Sequence, residues 1–152
     1  MSKNLHVERS GQIQLEGSPD QVFPLFGPVR EAEWAAGWQI QICHATTPLL
    51  EEKGAVFTTR SHGDQQTIWV ITEFDQQAKR VDYLRITPHL HAAEVSVQCH
   101  ALEEYRTAAI VVYRLTGLTP EGNAHIEHDY NEAAYQKMLA HWQQEINRII
   151  GS

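Results

Sequence analysis

The sequence has little of what several classes of protein depend on. It contains only two cysteines, Cys43 and Cys99, without framework spacing, so we expect buried, reduced thiols and no disulfide. Lysine and arginine number 12 against 19 acidic residues, and the net charge of -7 disfavours nucleic acid or an anionic membrane as a partner. No apolar run reaches the length of a membrane span, and residues 1–17 lack the apolar core of a signal peptide. We therefore expect a cytoplasmic protein that does not insert into membranes.

The length of the chain limits its organisation. Its 152 residues fit one domain, over 1–152, which buries about two thirds of its unfolded surface. The sequence shows no internal repeat and no low-complexity segment. We expect a monomer or a homodimer without a cofactor.

Helix breakers are missing from the last stretch of the chain. Between positions 123 and 150 there is no proline or glycine, and apolar residues recur at every fourth position: Tyr130, Ala134, Met138, Trp142, Ile146 and Ile150. This period predicts one long helix over 123–150 with a broad apolar face. Asn123 is its predicted N-cap, and Gly151 is predicted to end it. A helix of this length needs a large partner surface.

The start of the chain predicts one strand and two short helices. Alternation of apolar and polar residues indicates a strand over 5–15. Ser18 is then a predicted N-cap, with Pro19 at the first helical position and Gln21 able to close a capping box. A second short helix is predicted over 29–35, where it carries Trp34.

From position 38 onward the period changes to two, which is the period of strands. The predicted strands cover 38–44, 55–60, 67–74, 80–87, 91–102 and 108–118, and residues 61–64 are predicted to turn the chain between the second and third of these. Most of the connections have the length of hairpin loops. The sequence therefore predicts an antiparallel sheet of about seven strands in all.

Three stretches and the order of the elements point to a known architecture. The stretches are GSPDQVFPLF at 17–26, Trp34 with Gly37 and Trp38, and IWVITEFD at 68–75, and Trp142 in the last helix fits as well. In these features the chain resembles the START-like (SRPBCC) superfamily, which includes polyketide cyclase/dehydrase, lipid-transport and Bet v 1-like proteins. The resemblance implies an α+β helix-grip fold, in which a curved antiparallel sheet wraps the C-terminal helix and leaves a cavity for hydrophobic small molecules. Because such proteins include carriers, receptors, cyclases and chaperone activators, the fold does not choose the function.

Several residues predicted to face the long helix are large and polar-tipped. Such side chains, together with one charge, suit a pocket that orients a mostly apolar ligand, although they can also fill a wide interface between sheet and helix. The leading hypothesis is the binding or carriage of a small hydrophobic or aromatic molecule, lipids included. Its predicted contacts are Trp38, Trp69, Tyr83, Arg85, Tyr113, Tyr130 and Met138.

Arg85 is the most informative of these residues. An unpaired buried guanidinium is costly, so an inward-facing Arg85 needs a carboxylate. That carboxylate is either Glu73 on the neighbouring strand or an anionic group on the ligand. The internal pair with Glu73 is the favoured interpretation, because structural ion pairs are common.

Two other functions remain open. In the first, His44, Glu73 and Tyr83 converge in the cavity and act as acids and bases in a cyclisation or dehydration, as in polyketide cyclases. In the second, the protein is an interaction module like the chaperone activators, although no exposed apolar patch speaks for it.

Nine histidines raise the question of a metal site. His89 and His91 are predicted to share a strand face, and His125, His128 and Asp129 lie within about one helical turn. Neither group has the spacing of a strong zinc motif, so we expect no metal site. There is also no GxSxG motif for a nucleophilic serine.

Overall fold

The structure is a computed structural model that describes residues 4–60 and 65–151. The predicted turn over 61–64 lies outside the described residues. Seven strands form one antiparallel sheet in the order β1-β7-β6-β5-β4-β3-β2. The strands are β1 His6–Leu15, β2 Ile40–His44, β3 Val56–Arg60, β4 Gln66–Asp75, β5 Arg80–Thr87, β6 His91–Glu103 and β7 Arg106–Gly117.

The helices lie after β1 and at the end of the chain. Helix α1 covers Pro19–Val22 and continues into a 3-10 turn at Phe23–Phe26, and a second 3-10 turn covers Arg30–Glu33. Helices α2 and α3 cover Pro120–Asp129 and Glu132–Ile150. A seven-stranded antiparallel sheet with short helices after strand one and a long C-terminal helix is the helix-grip fold, so the predicted fold class is confirmed.

The predicted single helix over 123–150 is wrong, because the chain breaks at Tyr130 and Asn131. The Asn131 side chain accepts a hydrogen bond from the Ala134 N–H and donates to the carbonyls of Glu127 and His128. It therefore caps the start of α3 and the end of α2 together. The predicted N-cap Asn123 lies inside α2, and its side-chain oxygen accepts from the Leu5 N–H.

Helix α3 packs against the edge of the sheet that β1 forms. Its most buried residues are Tyr135, Leu139 and Ile146, and the Tyr135 hydroxyl donates to the Val111 carbonyl at 2.7 Å. Gly11 of β1 leaves room for Leu139, because a Cβ atom at this position would collide with it. Side chains of Gln143 and Asn147 hydrogen-bond to the backbone of Gln14 in β1 and of Glu16 just after it, and so cover the end of the unpaired edge.

The predicted capping box is present at the start of α1. The Ser18 side chain accepts from the Gln21 N–H, and the Gln21 side chain accepts from the Ser18 N–H. The second short helix is only the 3-10 turn, and Trp34 follows it as a core residue whose indole N–H donates to the Leu25 carbonyl. Trp38 precedes β2 instead of opening it, and its indole N–H donates to the Pro28 carbonyl.

Bulges in two strands change which side chains face inward. In β4 the pairing with β5 shifts between Ile71 and Glu73, so Trp69 and Ile71 are buried while Glu73 is exposed. A similar shift in β2 lies between Ile42 and His44, and His44 is exposed. A simple alternation of apolar and polar residues does not predict these bulges.

The two cysteines are both free, but only one of them is buried. Cys99 is buried as predicted, and burial raises the pKa of its thiol to about 12. Cys43 lies exposed on the edge strand β2, so its predicted burial is wrong. In the part of the chain that the structure describes, no helix has both the length and the apolar character needed to cross a membrane.

Candidate functional site

A cavity of about 700 Å³ lies between the inner face of the sheet and the junction of α2 and α3. Four parts of the chain line it: residues 35–38, the facing ends of β3 and β4, the turn between β5 and β6 with adjacent strand residues, and the end of α2. Its volume falls in the range of about 300–1,000 Å³ that is typical of small-molecule sites. The cavity is therefore large enough for a ligand of one or two rings.

Arg85 carries the main charge of the inner wall. It is only 9% exposed, and its Nε and Nη2 atoms have no hydrogen-bond partner among the described residues. Three rings, of Trp69, Tyr113 and Tyr130, form an aromatic box around it, with the guanidinium carbon 5.4 to 5.6 Å from each ring centroid. Burial disfavours the charge, but Tyr130 and Tyr113 act in the opposite direction and the net pKa of Arg85 is raised. The guanidinium therefore stays protonated.

The favoured pair between Arg85 and Glu73 is wrong. The bulge in β4 turns Glu73 away from the inner face, where it lies exposed to solvent. Among the described residues, no carboxylate forms an ion pair with Arg85, and the groups that favour its charge are Tyr130 and Tyr113. Over residues 4–60 and 65–151, the Arg85 guanidinium therefore has no counter-ion.

A chain of three hydrogen-bonding groups lies beside Arg85. His91 is 3% exposed, and its Nε2 atom lies 3.0 Å from Nδ1 of His125. Nε2 of His125 in turn lies 2.9 Å from Oδ2 of Asp129. We call these three residues the relay chain. His125 and Asp129 are exposed, so the relay chain runs from solvent to a buried imidazole.

The contact between α2 and the β5–β6 turn brings the relay chain together. Thr119, the N-cap of α2, accepts from the Gly122 N–H and donates to the His89 carbonyl. Gly122 rests on the Leu90 carbonyl so closely that a Cβ atom would overlap it. Because this contact fixes α2 against the start of β6, His125 stacks on His91 with ring centroids 5.0 Å apart.

The charges around His91 set its proton affinity. Burial lowers the pKa of His91 to about 4, and the nearby Arg85 and His125 act in the same direction. The imidazole is therefore neutral near pH 7. Its Nδ1 atom is buried and has no hydrogen-bond partner in the part of the chain that the structure describes.

The structure places four of the predicted ligand contacts on the cavity wall: Trp38, Trp69, Arg85 and Tyr130. Trp38 and Trp69 meet edge to face at 5.3 Å, and the Trp69 indole N–H donates to the Thr59 hydroxyl. Three others are not among the residues that line the cavity: Tyr83, Tyr113 and Met138. Tyr83 and Tyr113 are buried directly behind the wall, against Trp69 and Tyr130 respectively. Met138 is half-buried on α3, packed against the core.

The alternative acid-base group does not come together. Glu73 and His44 are exposed residues outside the cavity, because the bulges in β4 and β2 turn these side chains away from the inner face. Tyr83 is buried, and its hydroxyl donates to the Phe26 carbonyl at 2.7 Å. Burial raises the pKa of Tyr83 well above its usual value, with Glu31 acting in the same direction. The predicted convergence of these three residues is therefore wrong.

Glu31, in the second 3-10 turn, is a titratable group that the sequence pattern does not single out. Its side chain is half-buried, and burial raises its pKa to about 8. Its charge acts on Tyr83 and Tyr113, which places the carboxyl near the back of the aromatic box.

The histidine groups considered for metal binding are arranged differently from the prediction. His89 lies exposed in the turn with a positive φ of 68°, so it does not share a face with the buried His91. His128 is exposed, and its Nδ1 atom lies 2.7 Å from the Asp129 carboxylate. Within residues 4–60 and 65–151, no group of three His, Cys, Asp or Glu side chains has an arrangement that could hold a metal ion.

Solved structures with the same fold include proteins from plants and bacteria. The chain superimposes on truncated norcoclaurine synthase from Thalictrum flavum with a TM-score of 0.71 and 10% identity, covering 99% of this chain and 96% of that one. Ginseng major latex-like protein 151 from Panax ginseng superimposes with a TM-score of 0.67 and 15% identity. The match covers 95% of this chain and 97% of that one. A hypothetical protein from Helicobacter pylori superimposes with a TM-score of 0.68 and 12% identity. The match covers 91% of this chain and 86% of that one.

These neighbours have the Bet v 1-like fold, and the low identities mean that the likeness shows the fold alone. A second norcoclaurine synthase structure, with a TM-score of 0.69 and 10% identity, holds dopamine and hydroxybenzaldehyde; it covers 97% of this chain and 88% of that one. No protein-family profile matches the chain, and no curated protein sequence matches it.

Proposed function

We propose that the protein binds a small aromatic or other apolar molecule that carries an anionic group. The anionic group pairs with Arg85, and the apolar body lies against Trp38, Trp69 and Tyr130. The observation that carries the proposal is the buried guanidinium on the wall of a cavity of about 700 Å³, with two nitrogen atoms to which no described residue hydrogen-bonds.

The energetics of Arg85 support an anion as its partner. Leaving a buried donor unsatisfied costs about 1–3 kcal/mol, and more for a charged group. The aromatic box offsets part of this cost through cation–π attraction, but ring faces do not satisfy the two N–H groups in the plane of the guanidinium. A carboxylate accepts two parallel hydrogen bonds from this fork, which makes it a better partner than a neutral oxygen.

The walls around Arg85 support an aromatic body for the ligand. Trp38 and Trp69 present ring surface, and together with Tyr130 they leave space for a further ring to stack or pack edge to face. A protein of the same fold, norcoclaurine synthase, has been solved with two small aromatic molecules. The likeness is consistent with aromatic ligands and does not identify one.

Isothermal titration calorimetry with paired probes tests the proposal. Phenylacetate and indole-3-acetate are compared with their neutral amides, which keep the ring and remove the charge. We expect the acids to bind and the amides to bind far more weakly. We also expect Arg85→Gln to reduce acid affinity by about 2 kcal/mol or more, as truncation of a buried charge pair does.

Arg114→Gln is the matched control, because Arg114 lies exposed on the other face of the sheet and pairs with Glu8. It should leave acid affinity unchanged. Equal binding of acids and amides, or unchanged affinity in Arg85→Gln, would show that Arg85 does not select the ligand. Native mass spectrometry of gently purified protein then identifies a copurifying ligand by its mass.

A further inference from the structure

The relay chain is a feature that ligand binding alone does not use. A pocket that only holds an anionic ligand at Arg85 needs no buried imidazole that is linked through a second imidazole to a carboxylate. Such a chain instead holds a base in one tautomer and gives its proton a path to solvent.

The hydrogen-bond partners define the tautomers of the relay chain. The Asp129 carboxylate only accepts, so Nε2 of His125 carries a proton and donates to it. In neutral His125 the Nδ1 atom is then an acceptor, and Nε2–H of His91 is the donor to it. Nδ1 of His91 is consequently left with a lone pair, in a buried position where no described residue accepts from it or donates to it.

His91 and Arg85 face the same side of the sheet. Arg85 pairs with Ala93 and His91 with Thr87, so the two are diagonal neighbours on adjacent strands, a relation in which the residue positions lie about 7 Å apart. Both side chains line the cavity, so one small ligand can contact both of them.

We propose that His91 is the general base of a proton-transfer activity on bound acids that carry an acidic C–H group next to a carbonyl. This proposal rests on the proposed function, because Arg85 must hold the anionic group of the substrate. Aromatic 2-oxo acids have this chemistry: a ring, a carboxylate, and a CH₂ group beside a ketone.

The step is a balanced enolisation. Nδ1 of His91 takes a proton from the CH₂ carbon, and the electron pair of the broken C–H bond forms a carbon–carbon double bond. The carbonyl π electrons move onto oxygen, and the enolate charge develops near Arg85. Return of a proton to the oxygen gives the enol, whereas return to the carbon regenerates the ketone with its hydrogen exchanged.

Substrate binding also weakens one cause of the low basicity of His91, although burial is the larger cause. The positive charge of Arg85 is one of the causes that lower the pKa of this imidazole. A carboxylate on Arg85 offsets that charge, so the base strengthens when the substrate is in place. As His91 becomes an imidazolium, its Nε2 proton can pass to His125 and from there toward solvent at Asp129.

Hydrogen exchange of phenylpyruvate in D₂O, followed by proton NMR, tests the activity. The protein should accelerate loss of the CH₂ signal over buffer alone. His91→Gln keeps a donor towards His125 and removes the base, so it should lower the catalysed rate about 100-fold or more with affinity by calorimetry nearly unchanged. His89→Asn removes an exposed histidine two residues away, and asparagine tolerates the positive φ there, so this variant should exchange at the wild-type rate.

His125 and Asp129 are positioning residues in this scheme. Asp129→Asn should reduce the exchange rate and also change the tautomer of His125, which long-range proton–nitrogen NMR of the imidazoles reads directly. If phenylpyruvate binds through Arg85 but exchanges no faster than in buffer, or if His91→Gln exchanges at the wild-type rate, His91 is not a base and the proposed function stands. If no acid binds, both proposals fail.

Discussion

A buried arginine that no described carboxylate pairs is a cost to the folded protein in the absence of ligand. Arg85→Met removes the charge and the unsatisfied N–H groups and keeps an unbranched side chain of similar length. Replacing buried charges with apolar residues is often neutral or stabilising by about 1–4 kcal/mol, so we expect the ligand-free variant to unfold at an equal or higher urea concentration than the wild type. Acid binding should be lost in the same variant.

A loss of stability in Arg85→Met would contradict this expectation. A loss of about 2 kcal/mol or more in ligand-free Arg85→Met would mean that the aromatic box stabilises the cation more than the missing hydrogen bonds cost. Arg85 would then be a structural residue. Urea unfolding curves of the two proteins, measured without ligand, decide between the two roles.

Glu31 makes stability depend on pH. Its pKa is about 8 in the folded protein because of burial, against an ordinary value of 4.5 that we assign to the unfolded chain. The stabilising contribution of its protonated form is complete below pH 4.5 and is lost as the pH rises through 8. Glu31→Gln mimics the protonated carboxyl at every pH. We therefore expect the variant to become progressively more stable than the wild type from about pH 5 to pH 8.

Melting temperatures across this range check the expectation for Glu31. Glu104→Gln, which changes an exposed carboxylate, serves as the control and should follow the wild-type curve. Parallel curves for Glu31→Gln and the wild type would show that the Glu31 carboxyl is hydrated and titrates normally.

At the scale of elements, the junction between α2 and α3 depends on one side chain. Asn131 accepts from the Ala134 N–H and donates to two carbonyls at the end of α2. Asn131→Ala loses all three bonds and should cost about 1–2 kcal/mol, the upper part of the range for a lost N-cap. Asn131→Asp keeps the acceptor and should cost less.

Hydrogen exchange of backbone amides locates the effect of these two variants. Protection should fall at the end of α2 in both of them, and at the first turn of α3 only in Asn131→Ala. Equal stability of Asn131→Ala and the wild type would mean that packing, not capping, holds the junction.

The same junction shows which elements the sequence could predict. The strands came out within a few residues, because half-buried strands alternate strictly and their turns are rich in Gly, Pro, Asp and Lys. The break at Asn131 could not be predicted from the sequence. The residues around it include neither proline nor glycine, and the apolar period continues across them. The bulge in β4 was equally hidden, and it alone decides that Glu73 faces solvent.

At the scale of the whole molecule, the order of elements was sufficient to predict the fold, whereas the site was predicted only in part. Trp69 and Arg85 line the cavity because inward strand positions follow from alternation, whereas Trp38 and Tyr130 line it from outside the strands. The relay chain joins residues 34 positions apart, and it depends on the close approach of α2 to the β5–β6 turn. The histidines of the relay chain stand in the sequence in two separate groups, one with His91 and one with His125. No local sequence pattern indicates that these two groups meet.

Trp142 connects the parts of the molecule that lie around the cavity. Its ring lies 5.4 Å from Trp34 and 6.5 Å from Phe26, which belong to the segment after β1, and 6.3 Å from Tyr113 of the sheet. Because the side chain is half-buried, we expect Trp142→Ala to cost about 3 kcal/mol, the lower end for a core tryptophan. Trp142→Phe keeps a ring against the same partners and should recover most of the loss, whereas His141→Ala, at an exposed position beside it, should be neutral. Urea unfolding followed by circular dichroism measures all three. A variant Trp142→Ala as stable as the wild type would mean that α3 and the short helices are held to the sheet independently, and that the aromatic contacts between them contribute no stability.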